Sequence, residues 1–402
     1  MKIAIFTDSF FPQINGIVTS VADLAKGMCD RGHKIYIVAP NYHDIKHEFS
    51  YKDIEVLRLP AIDASFYEGF RWSAIMHKPT FRKLKKANID LVHFMTPITV
   101  SVFGILVGKM LKKPIIGTYH TFVSELSYLK QFFPHAGSGT QRFAWSYTNA
   151  FYNRSHLITT PTENARLELI NNRCKVPVEA VSNGIKLDSF DNSNSKAIKE
   201  KYNPDGDIIL FVGRVAPEKN MPVLLKAFKD LTLTDNTTKL LLVGGGPSLD
   251  ECKEYAKTEG LEDRIIFTGL IQTDELKKSG IFGACKLFVT ASTTETQSIT
   301  VLEAEANGLP CIGPNAKGIP NVIDHNVNGF LVSPNNSQEI ADAIKLLLSD
   351  SDLYKKFSAN AILSAEKQDF NKILDGWEDR YLRVSKEKVK RLPRIQKIKY
   401  QS

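Results

Sequence analysis

Two carboxylates in the second half of the chain, Glu295 and Glu303, have the type and spacing of ligand-binding groups. The apolar run before Glu295 predicts a strand, and a helix is predicted to begin near Gln297, Ser298 or Ile299 and to carry Glu303. Ligands of open α/β sheets bind at the carboxyl ends of strands, and a helix start there offers unpaired N–H groups to anions. The pair therefore fits a ligand with hydroxyl groups and phosphates. A helix-terminal charge plus a solvated glutamate fits the same pattern.

Two cations lie in another predicted strand–helix loop, at residues 213–220. Arg214 offers a planar fork of donors and Lys219 a flexible point charge, and both suit a diphosphate. A turn with solvated basic residues is the alternative. Gly244 and Gly245 follow the next predicted strand, where glycine lets the backbone approach a nucleoside closely, although a plain tight turn also explains them.

The first half contributes three further candidates. Asn15 and Gly16 lie in the loop after the first predicted strand, where a glycine permits close approach to a ligand or simply forms a turn. His120 closes a buried strand predicted over 114–119. A histidine at the carboxyl end of a strand suits a site, and a satisfied structural histidine suits the position equally.

The elements that must position these residues form a repeating strand–helix pattern. Short apolar runs of the buried parallel type fill the first half, and the pattern restarts at Ile208 after a polar stretch. We expect an α/β fold with two Rossmann-like, doubly wound domains facing each other across a cleft. The predicted domains are residues 1–187 and 188–384, with the last helices returning to the first domain or staying with the second. A basic tail follows at 385–402.

Composition and charge narrow the class of protein. The net charge of +8 divides into +8 over residues 1–190, −6 over 191–384 and +6 over the tail, which predicts a polyanionic partner on one side. The five cysteines are scattered, which argues against a disulfide framework or a zinc site. The amino terminus does not read as a signal peptide, and the longest apolar run, 98–108, is too short to span a bilayer. No dedicated metal site is expected, while loosely held magnesium remains compatible.

A basic and aromatic stretch at residues 66–86 is the predicted membrane or acceptor contact. Six Lys or Arg residues and no acid lie between Glu68 and Asp90, interleaved with apolar side chains that suit a lipid interface. A solvated basic helix face that packs its apolar side on the core is the alternative. The residues assigned to the contact are Arg71, Trp72, Lys78, Phe81, Arg82, Lys83, Lys85 and Lys86.

The order of the motifs resembles that of retaining glycosyltransferase family 4, whose members have the GT-B fold. The resemblance covers nearly the whole chain, and the combination of motifs is specific although each motif alone is weak. It is carried by Asn15-Gly16, His120 in Thr-Tyr-His, Gly213 to Lys219, Gly244-Gly245-Gly246-Pro247 and Glu295-x7-Glu303. Many relatives have Gly-Phe-Gly where this chain has Thr296-Gln297-Ser298, and two glycines where it has Asn15-Gly16. Glu-Thr-Gln and Thr-Tyr-His-Thr resemble the subgroup that glycosylates diacylglycerol.

The resemblance implies a role for each candidate. Arg214 and Lys219 would neutralise the diphosphate of a donor, a leaving group that departs as a dianion. Glu303 would hold the ribose, Glu295 the transferred hexose, and the helix start at Gln297–Ile299 would supply N–H donors. His120 would lie beside the sugar and Gly16 near the phosphates. The family needs no obvious side-chain nucleophile, and the implied mechanism is a front-face transfer in which the diphosphate helps to deprotonate the acceptor.

The expected activity is therefore transfer of glucose or galactose from a UDP-sugar to 1,2-diacylglycerol, giving a monoglycosyldiacylglycerol. The expected protein is cytoplasmic and peripherally bound to the inner face of the cell membrane, with no tightly bound cofactor. A soluble or carrier-linked acceptor is the alternative. A basic nucleic-acid-binding protein is a third hypothesis. It is remote because the basic residues avoid the second domain and the sequence contains no nucleic-acid-binding motif. The sequence does not indicate an oligomeric state.

Overall fold

The computed structural model describes residues 1–13, 15–43, 48–64, 71–120 and 135–386. The chain divides into two compact units. The first comprises Met1–Asn183 and the described residues from Asn371 onward, and the second comprises Gly184–Phe370. The second unit therefore ends before the predicted limit of 384, because residues 371–386 belong to the first unit. Residues 387–402, most of the predicted basic tail, lie outside the described part of the chain.

The first unit is built on a parallel sheet flanked by helices. Its strands are β1 (Lys2–Phe6), β2 (Lys34–Pro40), β3 (Ile54–Leu59), β4 (Ala61–Asp63), β5 (Arg71–Ser73), β6 (Leu91–Phe94), β7 (Ile115–Thr118), β8 (Leu157–Thr160) and β9 (Val178–Ala180). Its helices are α1 (Gly16–Asp30), α2 (Lys78–Ala87), α3 (Thr99–Leu111), α4 (Ser138–Tyr152) and α5 (Glu163–Asn171). Within the described residues, the sheet order is β3-β2-β1-β6-β7-β8-β9, and β4 and β5 form a separate antiparallel ribbon.

The second unit repeats this plan. Its strands are β10 (Ile208–Val212), β11 (Lys239–Val243), β12 (Ile265–Gly269), β13 (Leu287–Val289), β14 (Cys311–Pro314) and β15 (Gly329–Val332). Its helices are α6 (Ser195–Tyr202), α7 (Met221–Thr232), α8 (Leu249–Thr258), α9 (Thr273–Lys278), α10 (Ile281–Ala284), α11 (Ile299–Ala306), α12 (Ser337–Ser349) and α13 (Ser351–Lys367). The described strands pair in the order β12-β11-β10-β13-β14-β15.

Apolar strands explain both sheets. Ile3 to Phe6 in β1 and Ile208 to Phe211 in β10 are completely or almost completely buried, as expected for parallel strands covered by helices on both faces. Each sheet order reverses next to its first strand, between β1 and β6 and between β10 and β13. The expectation of two Rossmann-like, doubly wound α/β domains is confirmed. Loops that follow these strands meet at a topological switch point, where open α/β sheets bind ligands.

The last helix, α14 (Phe370–Lys386), attaches to the first unit through buried hydrogen bonds and partly exposed ion pairs. His93 in β6 makes hydrogen bonds to the Tyr381 hydroxyl at 2.8 Å and to Thr118 Oγ1 at 2.6 Å. Glu179 in β9 pairs with Arg380 at 2.8 Å and with Arg383 at 2.6 Å. These contacts are specific to the first sheet and explain why the helix does not remain with the second unit.

Candidate functional site

The carboxyl edge of the second sheet carries the predicted donor-binding residues. The loop after β10 holds Arg214 and Lys219, and the loop after the neighbouring strand β13 holds Glu295. Gly244 and Gly245 follow β11, on the other side of β10. Since the three strands are adjacent and parallel, their loops lie side by side at the switch point. The fold thus brings together residues that lie up to 81 positions apart in the sequence, from Arg214 to Glu295.

Lys219 and Glu295 form an ion pair between the β10 and β13 loops. Their side chains are only 22% and 18% exposed, and Lys219 Nζ contacts Glu295 Oε1. Burial opposes the charged form of Lys219, but the Glu295 carboxylate outweighs it, so the pKa of Lys219 is raised above its ordinary value. The lysine is therefore a permanent cation beside a carboxylate at the edge of the sheet.

Backbone contacts fix the relative positions of the loops. Val215 N–H donates to the Gly245 carbonyl at 2.9 Å, and a Cβ on Gly246 would lie 2.3 Å from the Val215 carbonyl oxygen. Gly246 also has a φ of +155°, a conformation that side chains rarely adopt. A Cβ on Gly244 would lie 1.8 Å from the Gly213 carbonyl oxygen, so Gly244 and Gly246 are required by loop packing without any ligand. A Cβ on Gly245 would meet nothing closer than 3.8 Å, so packing does not require glycine there.

The β13 loop is held from its other side by a glycine of the next connection. Gly318 N–H donates to the Glu295 carbonyl at 2.8 Å, and a Cβ on Gly318 would lie 1.9 Å from the Thr296 carbonyl oxygen. Ser292 Oγ donates to the Glu218 carbonyl at 3.0 Å. The backbone that carries Glu295 is therefore clamped between two neighbouring loops.

Helix α11 begins at Ile299, within the predicted range, and Ser298 is its N-cap. Gln297 is 9% exposed and Ser298 is 2% exposed, so both side chains are almost completely buried at the carboxyl edge of the sheet. Ser298 Oγ lies 3.1 Å from Thr300 Oγ1, and no side-chain cap bond is made at this helix start. The first N–H groups of α11 are oriented as in any helix start, toward the preceding loop.

Glu303 lies one turn further along α11 and is 4% exposed. Its Oε1 is 3.4 Å from Lys277 Nζ, which comes from α9. Glu305, two residues on, has a different setting: it accepts from Asn328 Nδ2 at 2.9 Å, and burial raises its pKa well above the ordinary value. The two glutamates of α11 are therefore not equivalent, since only Glu303 has a buried cation beside it.

In the first unit, Asn15 is the N-cap of α1, with Oδ1 accepting from Val18 N–H at 3.0 Å. Its Nδ2 donates to Ser9 Oγ at 2.8 Å, so the amide is a structural cap whose place a glycine could not take in the same way. Gly16 is exposed as the first residue of the helix. Both residues lie at the carboxyl edge of the first sheet, after β1.

His120 lies two residues past β7, at the same edge of the first sheet. Burial lowers the pKa of His120 to about 4, so the ring is neutral near pH 7. A neutral imidazole can donate one hydrogen bond and accept another. Residues 121–134, which follow it, lie outside the described part of the chain.

Sequence reasoning missed two buried charged residues at these edges. Asp8 follows β1 and is 1% exposed; its carboxylate accepts from Val100 N–H at 2.7 Å and from Thr96 Oγ1 at 2.7 Å. Burial raises the pKa of Asp8 to about 6. Asp8 thereby caps α3 and ties the loops of the first switch point together. The second missed residue is Lys277. It is one of two consecutive lysines, and the sequence does not indicate which of them is buried.

Two residues of the predicted membrane contact are corrected by the structure. Arg71 is 3% exposed and donates to the carbonyls of Asn41 at 2.8 Å and Ala61 at 2.9 Å, because it ties the ribbon to the sheet. Phe81 packs its ring against the core of the first unit. The remaining predicted residues are exposed: Trp72, Lys78, Arg82, Lys83, Lys85 and Lys86. Of these, Lys83 also pairs with Glu55.

Within the described part of the chain, neither a metal site nor a membrane-spanning segment has a candidate. Among the described residues, no three His, Cys, Asp or Glu side chains are grouped as metal ligands would be. Two Asp-x-Asp triplets occur, at 205–207 and 350–352, but Asp207 precedes the amino end of β10 and Asp350 caps α13. No described helix is long and apolar enough to cross a bilayer.

Comparison with known proteins identifies the class. Residues 14–189 match the family Glycosyltransferase Family 4, and residues 192–364 match Glycosyl transferases group 1. The chain is 28% identical over 382 residues to the alpha-monoglucosyldiacylglycerol synthase of Streptococcus pneumoniae, covering 92% of this chain and 84% of that protein. It is 26% identical over 383 residues to the enzyme of the same name from Acholeplasma laidlawii, covering 91% and 93%.

Solved structures agree on the fold. Anabaena HepE in complex with UDP and glucose superposes with a TM-score of 0.74 at 20% identity, covering 95% of this chain and 100% of that chain. A Rickettsia africae glycosyltransferase gives 0.75 at 21% identity, covering 96% and 98%. The strand order, the loops gathered at the second switch point and these matches lead to one conclusion. The chain belongs to glycosyltransferase family 4, and it is a nucleotide-sugar-dependent glycosyltransferase of the GT-B fold.

Proposed function

We propose that the protein transfers a hexose, glucose or galactose, from a UDP-sugar to 1,2-diacylglycerol at a membrane surface, with retention of configuration. The observation that carries this proposal is the full-length similarity to two diacylglycerol glucosyltransferases, each covering more than nine-tenths of this chain. UDP is the proposed donor nucleotide because UDP occupies the HepE structures that share the fold. The product is a monoglycosyldiacylglycerol.

In this proposal the edge of the second sheet binds the donor. Arg214 and Lys219 neutralise the diphosphate, whose charge grows as the sugar departs, and the N–H groups at residues 297–299 add donors to the same oxygens. The buried Glu303 accepts hydrogen bonds from the ribose, and Glu295 accepts them from the hexose. Gly245, where a Cβ would meet nothing closer than 3.8 Å, is proposed to lie beside the nucleoside, next to Gly244.

The transfer itself proceeds on one face of the sugar. The bond between the anomeric carbon and the diphosphate oxygen breaks, and the acceptor hydroxyl oxygen bonds to the same carbon from the same side. The hydroxyl proton passes to the departing diphosphate, so no side-chain base is required. Because the acceptor oxygen itself attacks from the same side, no side-chain nucleophile is required either. His120 and the loop at Asn15 and Gly16 are proposed to contact the sugar and the phosphates. The neutral ring of His120, with a pKa of about 4, adds no charge there.

The outer face of α2 and the neighbouring ribbon support membrane association. Lys78, Arg82, Lys85 and Lys86 are exposed, while Leu84 and Thr80 on the opposite face are buried. Ile62 and Trp72 are directly opposite each other in the β4–β5 ribbon and are 70% and 39% exposed. Ile75 and Met76, just before α2, are 51% and 41% exposed. Apolar side chains next to a basic face suit an anionic lipid surface.

Radiolabelled UDP-glucose, UDP-galactose and GDP-mannose, each offered with diacylglycerol vesicles, test the acceptor and the donor together. The proposal expects labelled monoglycosyldiacylglycerol from one UDP-sugar, and an anomeric configuration equal to that of the donor. If none of the donors yields labelled lipid, the diacylglycerol proposal is wrong. Glu303→Ala should abolish the signal without changing the circular dichroism spectrum.

Vesicle binding tests the surface separately. Each basic residue near an anionic leaflet contributes about 1 kcal/mol, so replacing Arg82, Lys83, Lys85 and Lys86 by Ser should lower partitioning about 100- to 1,000-fold, with Lys83 contributing least because of Glu55. The matched control replaces exposed lysines of the second unit by Ser: Lys253, Lys257, Lys355 and Lys356. Equal loss in both variants would mean that general charge, and not α2, attracts the protein to the vesicle.

A soluble or carrier-linked acceptor is the second candidate. It is favoured by relatives whose names specify other substrates, among them the N-acetyl-alpha-D-glucosaminyl L-malate synthase of Bacillus anthracis, 23% identical over 380 residues. Unchanged vesicle partitioning of the α2 variant, together with turnover in the absence of lipid, would establish this alternative.

A further inference from the structure

Lys277 is a buried lysine outside every motif discussed above. It is the fifth residue of α9, and its side chain is 9% exposed, whereas the adjacent Lys278 is exposed. Its backbone carbonyl accepts from Asp191 N–H at 2.9 Å, which anchors this end of α9 to the start of the second unit. Leu276, on the same short helix, belongs to the core of the second unit. The burial of Lys277 therefore follows from the way α9 is packed.

The ammonium group of Lys277 is enclosed by two partners. Glu303 Oε1 lies 3.4 Å from Nζ, and the centroid of the Phe190 ring lies 5.6 Å from it. The carboxylate and the ring together compensate for the loss of water around the cation. Glu303 is equally enclosed, with a side chain that is 6% exposed.

Stability alone is a poor reason for such a pair. Burying two charges costs several kcal/mol per ion in desolvation, and well-packed apolar residues of similar volume are often as stable or more stable. The pair does, however, favour a definite state of Glu303. An ionised carboxylate has about four lone-pair sites and no donor, and Lys277 occupies one of them. Carboxylate oxygens, which only accept hydrogen bonds, suit hydroxyl donors such as those of a ribose.

We propose that Lys277 is a positioning residue for donor binding, which holds the Glu303 carboxylate ionised and oriented toward the ribose of the nucleotide. This inference rests on the proposed function, in which Glu303 binds the ribose. Lys277 itself does not contact the sugar or the phosphates. Its effect on the donor is transmitted entirely through Glu303.

The test is a double-mutant cycle on the full-length protein, with UDP alone as the titrated ligand. Lys277→Met and Glu303→Gln should each weaken UDP binding about 10- to 100-fold, the range for losing hydrogen bonds to a charged group. Lys277→Met in the Glu303→Gln background should cause no further loss, because the lysine acts through the glutamate. Lys277→Arg should restore binding, and Lys278→Met is the matched control with wild-type affinity.

Separate measurement of KM and kcat distinguishes a positioning role from a general loss of structure. Lys277→Met should raise KM for the UDP-sugar and leave kcat nearly unchanged, since ribose binding is equal in the ground and transition states. The single variant leaves Glu303 buried without its cation and is expected to be the least stable. If it does not fold, Glu303→Gln alone and the double variant, which contains no unpaired charge, still give the comparison.

The outcomes separate the two proposals. If Glu303→Gln binds UDP as tightly as the wild type, the donor site is wrong, and the role of Lys277 falls with it. If Glu303→Gln weakens binding but Lys277→Met does not, the donor site stands and only the positioning role is refuted. If Lys277→Met weakens UDP binding as much in the Glu303→Gln background as in the wild type, Lys277 acts independently of Glu303. That result also overturns the inference.

Discussion

Replacing Lys219 by Met is the sharpest test of the donor site. In the proposed complex the lysine contacts the diphosphate, and loss of a hydrogen bond to a charged group costs about 1.5–3 kcal/mol, which is about 10- to 150-fold in Kd. The same change leaves Glu295 without its cation. Exposed pairs contribute about 0–1 kcal/mol, and breaking a buried one costs about 3–5 kcal/mol. With side chains 22% and 18% exposed, Lys219→Met should lower the unfolding free energy by about 1–3 kcal/mol.

Isothermal titration with UDP and urea unfolding measure the two effects separately. The double variant Lys219→Met, Glu295→Gln removes both charges, so its stability should recover while its UDP affinity stays low. Lys226→Met is the matched control, since Lys226 pairs with Asp230 at 2.8 Å on the exposed side of α7. It should change stability by less than about 0.5 kcal/mol and UDP binding not at all. UDP affinity of Lys219→Met within twofold of the wild type would refute the assignment of Lys219 to the diphosphate.

Two further predictions concern stability. Burial lowers the pKa of His93 to about 3 and of His120 to about 4, so both contribute stability near neutral pH that is lost as the pH falls below 6.5. Burial raises the pKa of Asp8 from 3.8 to about 6, so its contribution is lost as the pH rises through 6 and opposes that of the histidines. Between pH values of about 4 and 6 the unfolded chain therefore holds about one proton more, and unfolding free energy should rise by about 1.4 kcal/mol per pH unit. Urea unfolding followed by tryptophan fluorescence reports on the first unit, which contains all three tryptophans. His93→Gln should flatten the rise of unfolding free energy with pH. If the unfolding free energy of the wild type falls with pH over this range, the argument is wrong. Gly318→Ala should lower the unfolding free energy by about 1–3 kcal/mol, because its Cβ would lie 1.9 Å from a carbonyl oxygen of the loop after β13. Gly139→Ala, with open space around its Cβ, should leave the unfolding free energy unchanged, and thermal melts followed by circular dichroism compare the two variants.

Strands such as β1 and β10 are predictable from the sequence because each is a short, almost fully buried apolar run. Lys239–Val243 is a further apolar run that forms a strand. The start of α11 is also predictable, since a polar loop there separates an apolar strand from an apolar helix. The GT-B class follows from the repetition of this pattern together with the order of the motifs.

Other features depend on contacts that a linear pattern does not encode. Ribbon residues Ala61–Asp63 and Arg71–Ser73 are short, and their pairing is anchored by Arg71, whose type is that of a surface residue. The return of α14 depends on His93 and Glu179, which are 288 and 201 residues from their partners Tyr381 and Arg380 in that helix. In α9, one of two consecutive lysines is buried, and only the direction of the helix determines which. Packing partners, and not local propensity, decide all three.

The two ion pairs of the second unit suggest how donor binding is made selective. Without a ligand, Lys219 is neutralised by Glu295 and Lys277 by Glu303. A diphosphate that takes Lys219 as its counter-ion leaves Glu295 as a carboxylate with lone pairs to satisfy, and the hydroxyls of a linked hexose can satisfy them. Phosphate binding and hexose binding then support each other within one ligand, which favours the intact UDP-sugar over UDP. Glu295→Gln should therefore bind UDP as well as or better than the wild type but lose the preference for UDP-glucose. An unchanged ratio of the two dissociation constants would show that Glu295 does not contact the hexose.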